Sequence, residues 1–221
     1  KEFEIIVSEL EINPPNGIVL SSSKQTGFIM GADINEFKLI KDPDEGARLI
    51  KLGHGVANKF ESLPCPTIAL LNGFTLGGGL EVALACDYRL AIDSDKATLG
   101  FPEVKLGLHP GFGGTVRSVR LIGVRAAMKL MLTGKSITPK KAKELGLIDD
   151  VVNNDQNERK ESRRLARKYI LSKPKKSSAP LADKLFNLKF LRGIISKKLK
   201  DEVSRKARKE HYPAPFELIE L

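Results

Sequence analysis

The stretch Asn72 to Leu90, NGFTLGGGLEVALACDYRL, determines most of what the sequence says about the fold. The residues just before it, Thr67 to Leu71 (TIALL), are all but one apolar, which is typical of a strand that is buried on both faces. Three glycines at 77 to 79 then predict a turn into a helix from about Gly78 to Cys86. A carboxylate in this apolar helix, Glu81, is costly unless it is hydrogen-bonded or protonated. Glu81 is therefore a candidate functional residue.

Strands and helices alternate on both sides of this stretch. The predicted strands are Gly17 to Ser22, Gly27 to Met30, Thr67 to Leu71, Arg89 to Ile92 and Ala97 to Leu99. The predicted helices are residues 1 to 12, Asp44 to Leu63 with Leu49, Leu52, Val56 and Phe60 on one face, Val124 to Leu132, and a helix that opens at Thr138 and Pro139 and ends at Gly146. Strands that are apolar on both faces and are followed by helices predict an α/β domain.

Charge divides the chain into two regions. Residues 1–150 contain 18 Lys and Arg against 18 Asp and Glu, whereas residues 151–221 contain 19 against 9, so the net charge of +10 lies in the last third. We therefore predict an α/β core over residues 1–152 and a basic helical tail over residues 153–221, broken at Pro174 and Pro180. The basic residues are interpreted either as solvated helix faces or as a surface for a phosphorylated ligand, an acidic partner or nucleic acid.

Several classes of protein are excluded by the composition. No apolar run reaches the roughly 18 to 20 residues that a membrane span requires. The first residues, KEFEIIVSEL, have the charge mixture of an amphipathic helix and not the order of a signal peptide. The two cysteines, Cys65 and Cys86, form no CxxC pair, which indicates a reducing compartment.

Three familiar site motifs are also excluded. Gly134 to Ser136 resembles the end of a phosphate-binding P-loop, but the upstream glycine of that motif is replaced by Lys129. The run PGFGGT at Pro110 to Thr115 lacks the later acidic residue of a dinucleotide fingerprint. The histidines have no metal-ligand spacing, and we predict no metal site; they are His54, His109 and His211.

Two further features add to Glu81. Glu103 follows Pro102 in a predicted loop with apolar neighbours, and two carboxylates in apolar settings suit proton transfer through a water molecule. In FIMGADI, a strand end turns into a loop at Gly31 to Asp33 and exposes backbone N–H groups. The unsatisfied N–H of Gly78 at the start of the helix lies on the same face as Glu81, three residues later. One donor and one base are thus expected to meet.

In this order, the motifs resemble the enoyl-CoA hydratase (crotonase) superfamily. They are GADI at Gly31 to Ile34, NGFTLGGGLE at Asn72 to Glu81 with CDYRLA after it, GFPEVKLGLHPGFGGT at Gly100 to Thr115, and LTGKSITPKKAKELGLIDDVV at Leu132 to Val152. The terminal HYPAPFELIEL is similar to the hydratase region of multifunctional α subunits of fatty-acid β-oxidation. The resemblance implies a superhelix of ββα turns followed by a helical region.

The resemblance also implies the chemistry. The N–H groups of Ala32 and Gly78 would form an oxyanion hole for a thioester carbonyl. Glu81 would activate water and Glu103 would donate a proton in the hydration of 2-enoyl-CoA thioesters. The residues expected to bind the substrate are Ala32, Asp33, Ile34, Asn35 and Gly78. The same site could move a double bond from position 3 to position 2, because both reactions pass through a thioester enolate.

Partners are implied in the same way. An acyl-CoA is the expected substrate, and no cofactor is expected in this chain; NAD is expected only for a 3-hydroxyacyl-CoA dehydrogenase domain further along the parent protein. A thiolase β subunit is the expected partner, and a homo-oligomer is possible. The expected location is the cytoplasm of a bacterium, or the mitochondrial matrix in a eukaryote.

The main alternative is an RNA-binding protein with weak or no catalysis, because the tail is basic. Nucleic acid is nevertheless not expected as a partner, since aromatic residues, which serve as stacking platforms for bases, make up only 6% of the chain. Two features depart from the superfamily pattern. The resemblance implies that the superfamily's first strands would precede Lys1 in the parent protein, and Glu81 and Glu103 are 22 residues apart, with IDSDKATL between them.

Overall fold

Two parallel sheets carry the fold. The computed structural model describes residues 2–24, 26–33, 35, 40, 42–181, 183, 189–205 and 207–221, with the backbone only at 189–191. The larger sheet has the strand order β1-β3-β5-β7, and its strands are Ile18–Ser21, Thr67–Leu71, Tyr88–Asp93 and Asp150–Asn153. The smaller sheet has the order β2-β4-β6, and its strands are Gly27–Ile29, Phe74–Leu76 and Leu99–Gly100. Every neighbouring pair is parallel.

Helices follow each pair of strands. The described helices are α1 Glu2–Ile12, α2 Pro43–Glu61, α3 Gly78–Leu84, a 3₁₀ helix at Pro102–Leu106, α4 Gly114–Thr133, α5 Pro139–Leu145, α6 Glu158–Ser172, α7 Lys189–Ser204 and α8 Ala214–Glu220. The chain repeatedly places one strand in the large sheet, one in the small sheet, and then a helix. The predicted succession of ββα turns is confirmed.

Local sequence signals account for several helix ends. The Asp42 side chain accepts from the N–H of Glu45 and caps α2, and Pro43 supplies the fixed φ of its first residue. Thr138 caps α5 in the same way through the N–H of Lys141, and Gly146 closes that helix at a φ of +81°. The prediction of α5 from Thr138 to Gly146 is confirmed.

Some elements differ from the sequence predictions. Strands β4 and β7 were not predicted, and Glu103 lies on the 3₁₀ helix instead of in a loop. Gly123, at φ +78°, is not helical and divides α4 into two halves; the second half agrees with the predicted helix from Val124 to Leu132, and the first half, from Gly114, was not predicted. On α2 the predicted apolar face is buried at Phe60 but exposed at Leu49 and Leu52, since only the C-terminal half of α2 reaches the core.

The tail packs against the large sheet. Ala166 of α6 is buried in a cluster with Ile68, Tyr88 and Leu90. The α6 helix ends at Ser172, and the segment after it is tied to the core because the Tyr88 hydroxyl donates to the carbonyl of Pro174 at 2.6 Å. Breaks at the two tail prolines are confirmed, whereas the domain boundary at residue 152 stays a prediction.

The last helix, α8, packs back on the chain. Phe216 and Leu218 are buried, and Leu221 is exposed. Two of the apolar side chains in this last segment are therefore shielded from solvent. Within the described residues, the helices are all too short or too polar to cross a membrane.

Glycines allow the two sheets and α3 to approach closely. A Cβ at Gly79 would lie 2.3 Å from the carbonyl oxygen of Ile29, at the end of β2. A Cβ at Gly27 would lie 2.8 Å from the backbone nitrogen of Phe74. These distances leave no space for a side chain. The first turn of α3 therefore lies directly against the end of strand β2.

We predict that Gly79→Ala lowers the free energy of unfolding by about 2 kcal/mol, because backbone atoms would have to move apart. The matched control is Gly55→Ala on α2, where an added Cβ meets nothing within 4 Å. This change should raise the stability by up to about 1 kcal/mol, the difference in helix propensity. Urea unfolding of both variants measures the difference. Equal stability of the two variants would contradict this packing.

Candidate active site

The candidate site forms at the carboxyl edge of the small sheet. Strands β2, β4 and β6 run parallel and end at Ile29, Leu76 and Gly100. The residues that follow these three ends are the Gly31 to Asp33 turn, the Gly77 and Gly78 pair, and the 3₁₀ helix that carries Glu103. Because the strands are parallel neighbours, their ends bring these segments to one place. The sheet thus collects four residues that the sequence analysis selected: Ala32, Gly78, Glu103 and, one turn into α3, Glu81.

Glu81 is buried and held by backbone donors. Its side chain lies on α3, and the residue is 1% exposed. Its Oε1 accepts from the N–H of Phe112 and from the N–H of Gly114, both at 2.7 Å. Burial raises the pKa of Glu81, while the two N–H groups and the positive charge of Arg117 act in the opposite direction. Both donors bind the same oxygen, Oε1.

Glu103 has a different environment. Its Oε2 is buried and accepts no hydrogen bond within the described part of the chain. Burial, together with the negative charge of Glu81, raises the pKa of Glu103 to about 7, against a smaller opposing effect of its own backbone N–H. The two carboxylates therefore influence each other, and Glu103 holds a proton far more readily than an ordinary glutamate does.

Gly77 brings Glu103 to the start of α3. It has a φ of +53°, and an added Cβ would lie 3.0 Å from Oε1 of Glu103. Its N–H donates to the carbonyl of Gly100 at 2.9 Å, which joins the end of β4 to the end of β6. Only a glycine combines this φ with this close contact. The Glu103 carboxyl thus lies beside the Gly77–Gly78 peptide.

The predicted substrate-binding residues follow β2. Ala32 and Asp33 are exposed, and Asp33 accepts the N–H of the exposed Asn35 at 2.8 Å. Ile34 lies outside the described residues. Gly31 has a φ of +105°, and an added Cβ there would lie 3.6 Å from the carbonyl oxygen of Leu76. The two predicted donor segments, before Ala32 and before Gly78, are therefore adjacent.

The residues that hold Glu81 were not predicted from the sequence. Phe112 and Gly114 belong to the PGFGGT run, which was tested as a dinucleotide fingerprint and counted among the motifs of the resemblance, but to which no contact with Glu81 was assigned. Their role depends on a contact over more than thirty positions, |i−j| = 31 and 33, which no local pattern reveals. The one available signal was the density of glycines in this run. Its structural reason is that a Cβ at Gly114 would lie 2.9 Å from Oε1 of Glu81.

The two cysteines and His109 also carry groups that could react. Cys65 and Cys86 are both buried as free thiols, and burial raises the pKa of Cys86 to about 12. His109 contacts the carbonyl oxygen of Pro110 through Nδ1 at 3.2 Å. In the described ranges of the chain, His, Cys, Asp and Glu side chains form no group of three or more that could hold a metal ion.

Comparison with known proteins places this geometry in a family. The sequence profile of the enoyl-CoA hydratase/isomerase family matches residues 1–200. The chain belongs to the enoyl-CoA hydratase/isomerase family. An enoyl-CoA hydratase of Bacillus anthracis has a crystal structure that superposes with a TM-score of 0.69 at 35% identity, over 77% of this chain and 65% of that one. The predicted crotonase fold is confirmed.

Curated members of the family are more similar over the whole chain. A protein named fatty acid oxidation complex subunit alpha, from Shewanella frigidimarina, is 39% identical over 226 residues, which covers 99% of this chain and 31% of the relative. The protein of the same name from Shewanella oneidensis is 40% identical over 221 residues, with the same coverage. The chain thus spans about a third of the length of these curated relatives, and it matches a hydratase-type region of them.

We predict that Glu103→Gln stabilises the fold at pH 8 but not at pH 4.5. The pKa of Glu103 is about 7 in the fold and 4.5 in the unfolded chain, so the folded state loses stability as the pH rises between these values. Gln removes this cost, which amounts to about 1 to 2 kcal/mol after allowance for solvent screening. Urea unfolding at both pH values measures the effect. A difference between variant and wild type that is the same at both pH values would contradict this environment for Glu103.

Proposed function

We propose that this chain is an enoyl-CoA hydratase that adds water across the 2,3 double bond of 2-enoyl-CoA thioesters in fatty-acid β-oxidation. The observation that carries the proposal is the pair of carboxylates at the edge of the small sheet. Glu81 accepts hydrogen bonds from two N–H groups at one oxygen. Glu103 has a buried oxygen that accepts no hydrogen bond in the described structure, and its pKa is about 7. One carboxylate is thus arranged to accept a proton and the other to supply one.

The thioester carbonyl would bind the N–H groups of Ala32 and Gly78. Addition of water at C3 places negative charge on this carbonyl oxygen as an enolate. A preorganised donor at such an oxygen contributes about 3 kcal/mol to the stability of the transition state. Because Ala32 and Gly78 follow the ends of paired strands β2 and β4, the sheet fixes the two donors before the substrate arrives.

Glu81 and Glu103 would share the proton transfers. Oε2 of Glu81 takes a proton from the water molecule while the water oxygen forms a bond to C3. The protonated Glu103 then gives its proton to C2 of the enolate. The product is a 3-hydroxyacyl-CoA; Glu81 ends protonated and Glu103 ionised, and one proton transfer between them restores the starting state. A placed acid or base contributes roughly 10² to 10⁴ in rate. Asp33, Ile34 and Asn35 would contact the CoA part of the substrate.

Isomerisation of a 3-enoyl-CoA to the 2-enoyl isomer remains a second reaction that this pair could perform, because it also needs one base, one acid and an enolate. The RNA-binding alternative is not favoured, since the relatives and the superposed structures are named as fatty-acid oxidation subunits and hydratases. On α6, the basic residues are exposed whereas Ser162 and Ala166 are buried, which supports solvated helix faces as the role of the basic residues.

Assembly into a larger complex is part of the proposal. The relatives are named as subunits of a complex, and they are bacterial, which supports a complex in the cytoplasm of a bacterium. Four statements about the parent protein and this chain stay predictions. They are a thiolase β subunit as partner, a dehydrogenase domain that uses NAD in the parent protein, a homo-oligomer, and the absence of a cofactor from this chain.

We predict that Glu81→Gln and Glu103→Gln each lower kcat for a short 2-enoyl-CoA by at least about 10²-fold, because each removes one proton-transfer group. The matched control is Glu144→Gln, which changes an exposed carboxylate on α5 and should leave kcat unchanged. The loss of absorbance of the conjugated thioester measures the rate. Near-normal turnover in either site variant would overturn the two-carboxylate assignment, and inactive wild-type protein would overturn the proposed activity.

A further inference from the structure

The loop between the 3₁₀ helix and α4 determines where Glu81 points. Phe112 and Gly114, which donate to Glu81, flank Gly113 at a φ of +97°. This loop has few backbone constraints of its own, because it contains three glycines in four residues, at 111, 113 and 114. Something other than the loop itself must therefore fix the direction of its N–H groups.

Arg117 supplies this constraint. It lies on the first turn of α4 and is 5% exposed. Its Nη1 donates to the carbonyl of Phe112 at 2.9 Å. An added Cβ at Gly113 would lie 2.1 Å from the same nitrogen, so the guanidinium packs directly on the loop backbone. Phe112 thus connects two side chains: its N–H donates to Glu81, and its carbonyl accepts from Arg117.

The other side of the guanidinium is bound to helix α2. Nε and Nη2 of Arg117 donate to Oε2 of Glu61 at 2.9 Å and 2.8 Å, and Nη2 also donates to Oδ1 of Asn58 at 2.7 Å. A planar guanidinium with bonds at several nitrogens has one orientation, unlike an ammonium group. The last turn of α2 therefore holds Arg117, and Arg117 holds the loop.

We propose that Arg117 is a positioning residue for the reaction: it fixes the Phe112 to Gly114 backbone that grips Glu81, and Glu61 and Asn58 fix Arg117 in turn. This inference rests on the proposed function, in which Glu81 accepts the proton of water. Arg117 contacts the loop and not the reacting atoms. Its charge has a second effect on the same carboxylate.

The charge of Arg117 favours the ionised form of Glu81, and it acts to lower the pKa of Glu81 against the larger effect of burial. In the part of the chain that the structure describes, the other ionisable groups around Glu81 come from two elements. The 3₁₀ helix contributes Glu103, and α2 contributes Glu61, which partly neutralises Arg117, and His54, whose Cε1 lies 3.6 Å from the Cβ position of Gly113. Removal of the Arg117 charge thus raises the pKa of Glu81, and removal of the Glu61 charge lowers it.

The test compares Arg117→Gln, Arg117→Lys and Glu61→Gln. In Arg117→Gln, kcat should fall about 10- to 100-fold with little change in KM, because the base is misplaced. The acid limb of its rate profile should move to higher pH, since a base with a raised pKa ionises later. In Glu61→Gln the acid limb should move to lower pH. Arg117→Lys keeps the positive charge but loses the planar guanidinium with its several N–H donors. Its acid limb should therefore lie at the same pH as in the wild type, while its kcat should stay as low as in Arg117→Gln.

A second readout does not depend on activity. Titration of the Glu81 side-chain carboxyl, followed by carbon-13 NMR, should shift to higher pH in Arg117→Gln and to lower pH in Glu61→Gln. Unchanged titration and unchanged kcat in folded Arg117→Gln would overturn the inference. If Arg117→Gln does not fold, equal acid limbs in Glu61→Gln and wild type overturn it instead. Inactive wild-type protein with the expected NMR shifts would count against the proposed function alone.

Discussion

The contact between the backbone of Gly79 and the carbonyl oxygen of Ile29 is the constraint on which the site depends. At this contact the first turn of α3 lies against the end of β2, with no space for a Cβ between them. The segment before Ala32 and the segment before Gly78 can be neighbours only because these two backbones approach so closely. The short strands of the small sheet also contribute, since each of them ends within three residues of a site residue.

Different hydrogen bonding gives two glutamates different properties in one apolar region. Glu81 is the more deeply buried of the two, but two N–H groups and the nearby Arg117 offset part of the cost of its charge. Glu103 is less buried, yet its Oε2 has no donor in the described structure and its pKa is about 7. Two carboxyl groups whose environments give them different pKa values are suited to act as acid and base in one reaction. The account of function follows from this asymmetry and not from the number of carboxylates.

The sequence predicted the parts of the structure that local patterns determine. The buried strand at 67–71, the helix after Gly77, and the α5 helix between Thr138 and Gly146 were correctly located, because periodicity and capping residues mark them. The α/β class and the choice of Glu81 and Glu103 also came from residue types alone. Strand β4 was not predicted because three residues are too few to show a periodicity. The first half of α4 was not predicted because Gly123 interrupts the helical pattern of apolar residues. Contacts over long separations could not be predicted either: nothing near Arg117 in the sequence indicates Glu61, 56 positions earlier, as its partner.

The position of a bound thioester tests the central claim most directly. A crystal structure with a saturated acyl-CoA, which cannot be hydrated, shows where the carbonyl oxygen and the carbon chain lie. The account predicts that this oxygen accepts hydrogen bonds of about 3 Å from the N–H groups of Ala32 and Gly78, with C2 and C3 facing the carboxyls of Glu103 and Glu81. A thioester that binds with its carbonyl oxygen away from these N–H groups, or with both carboxyls out of reach of C2 and C3, would contradict it.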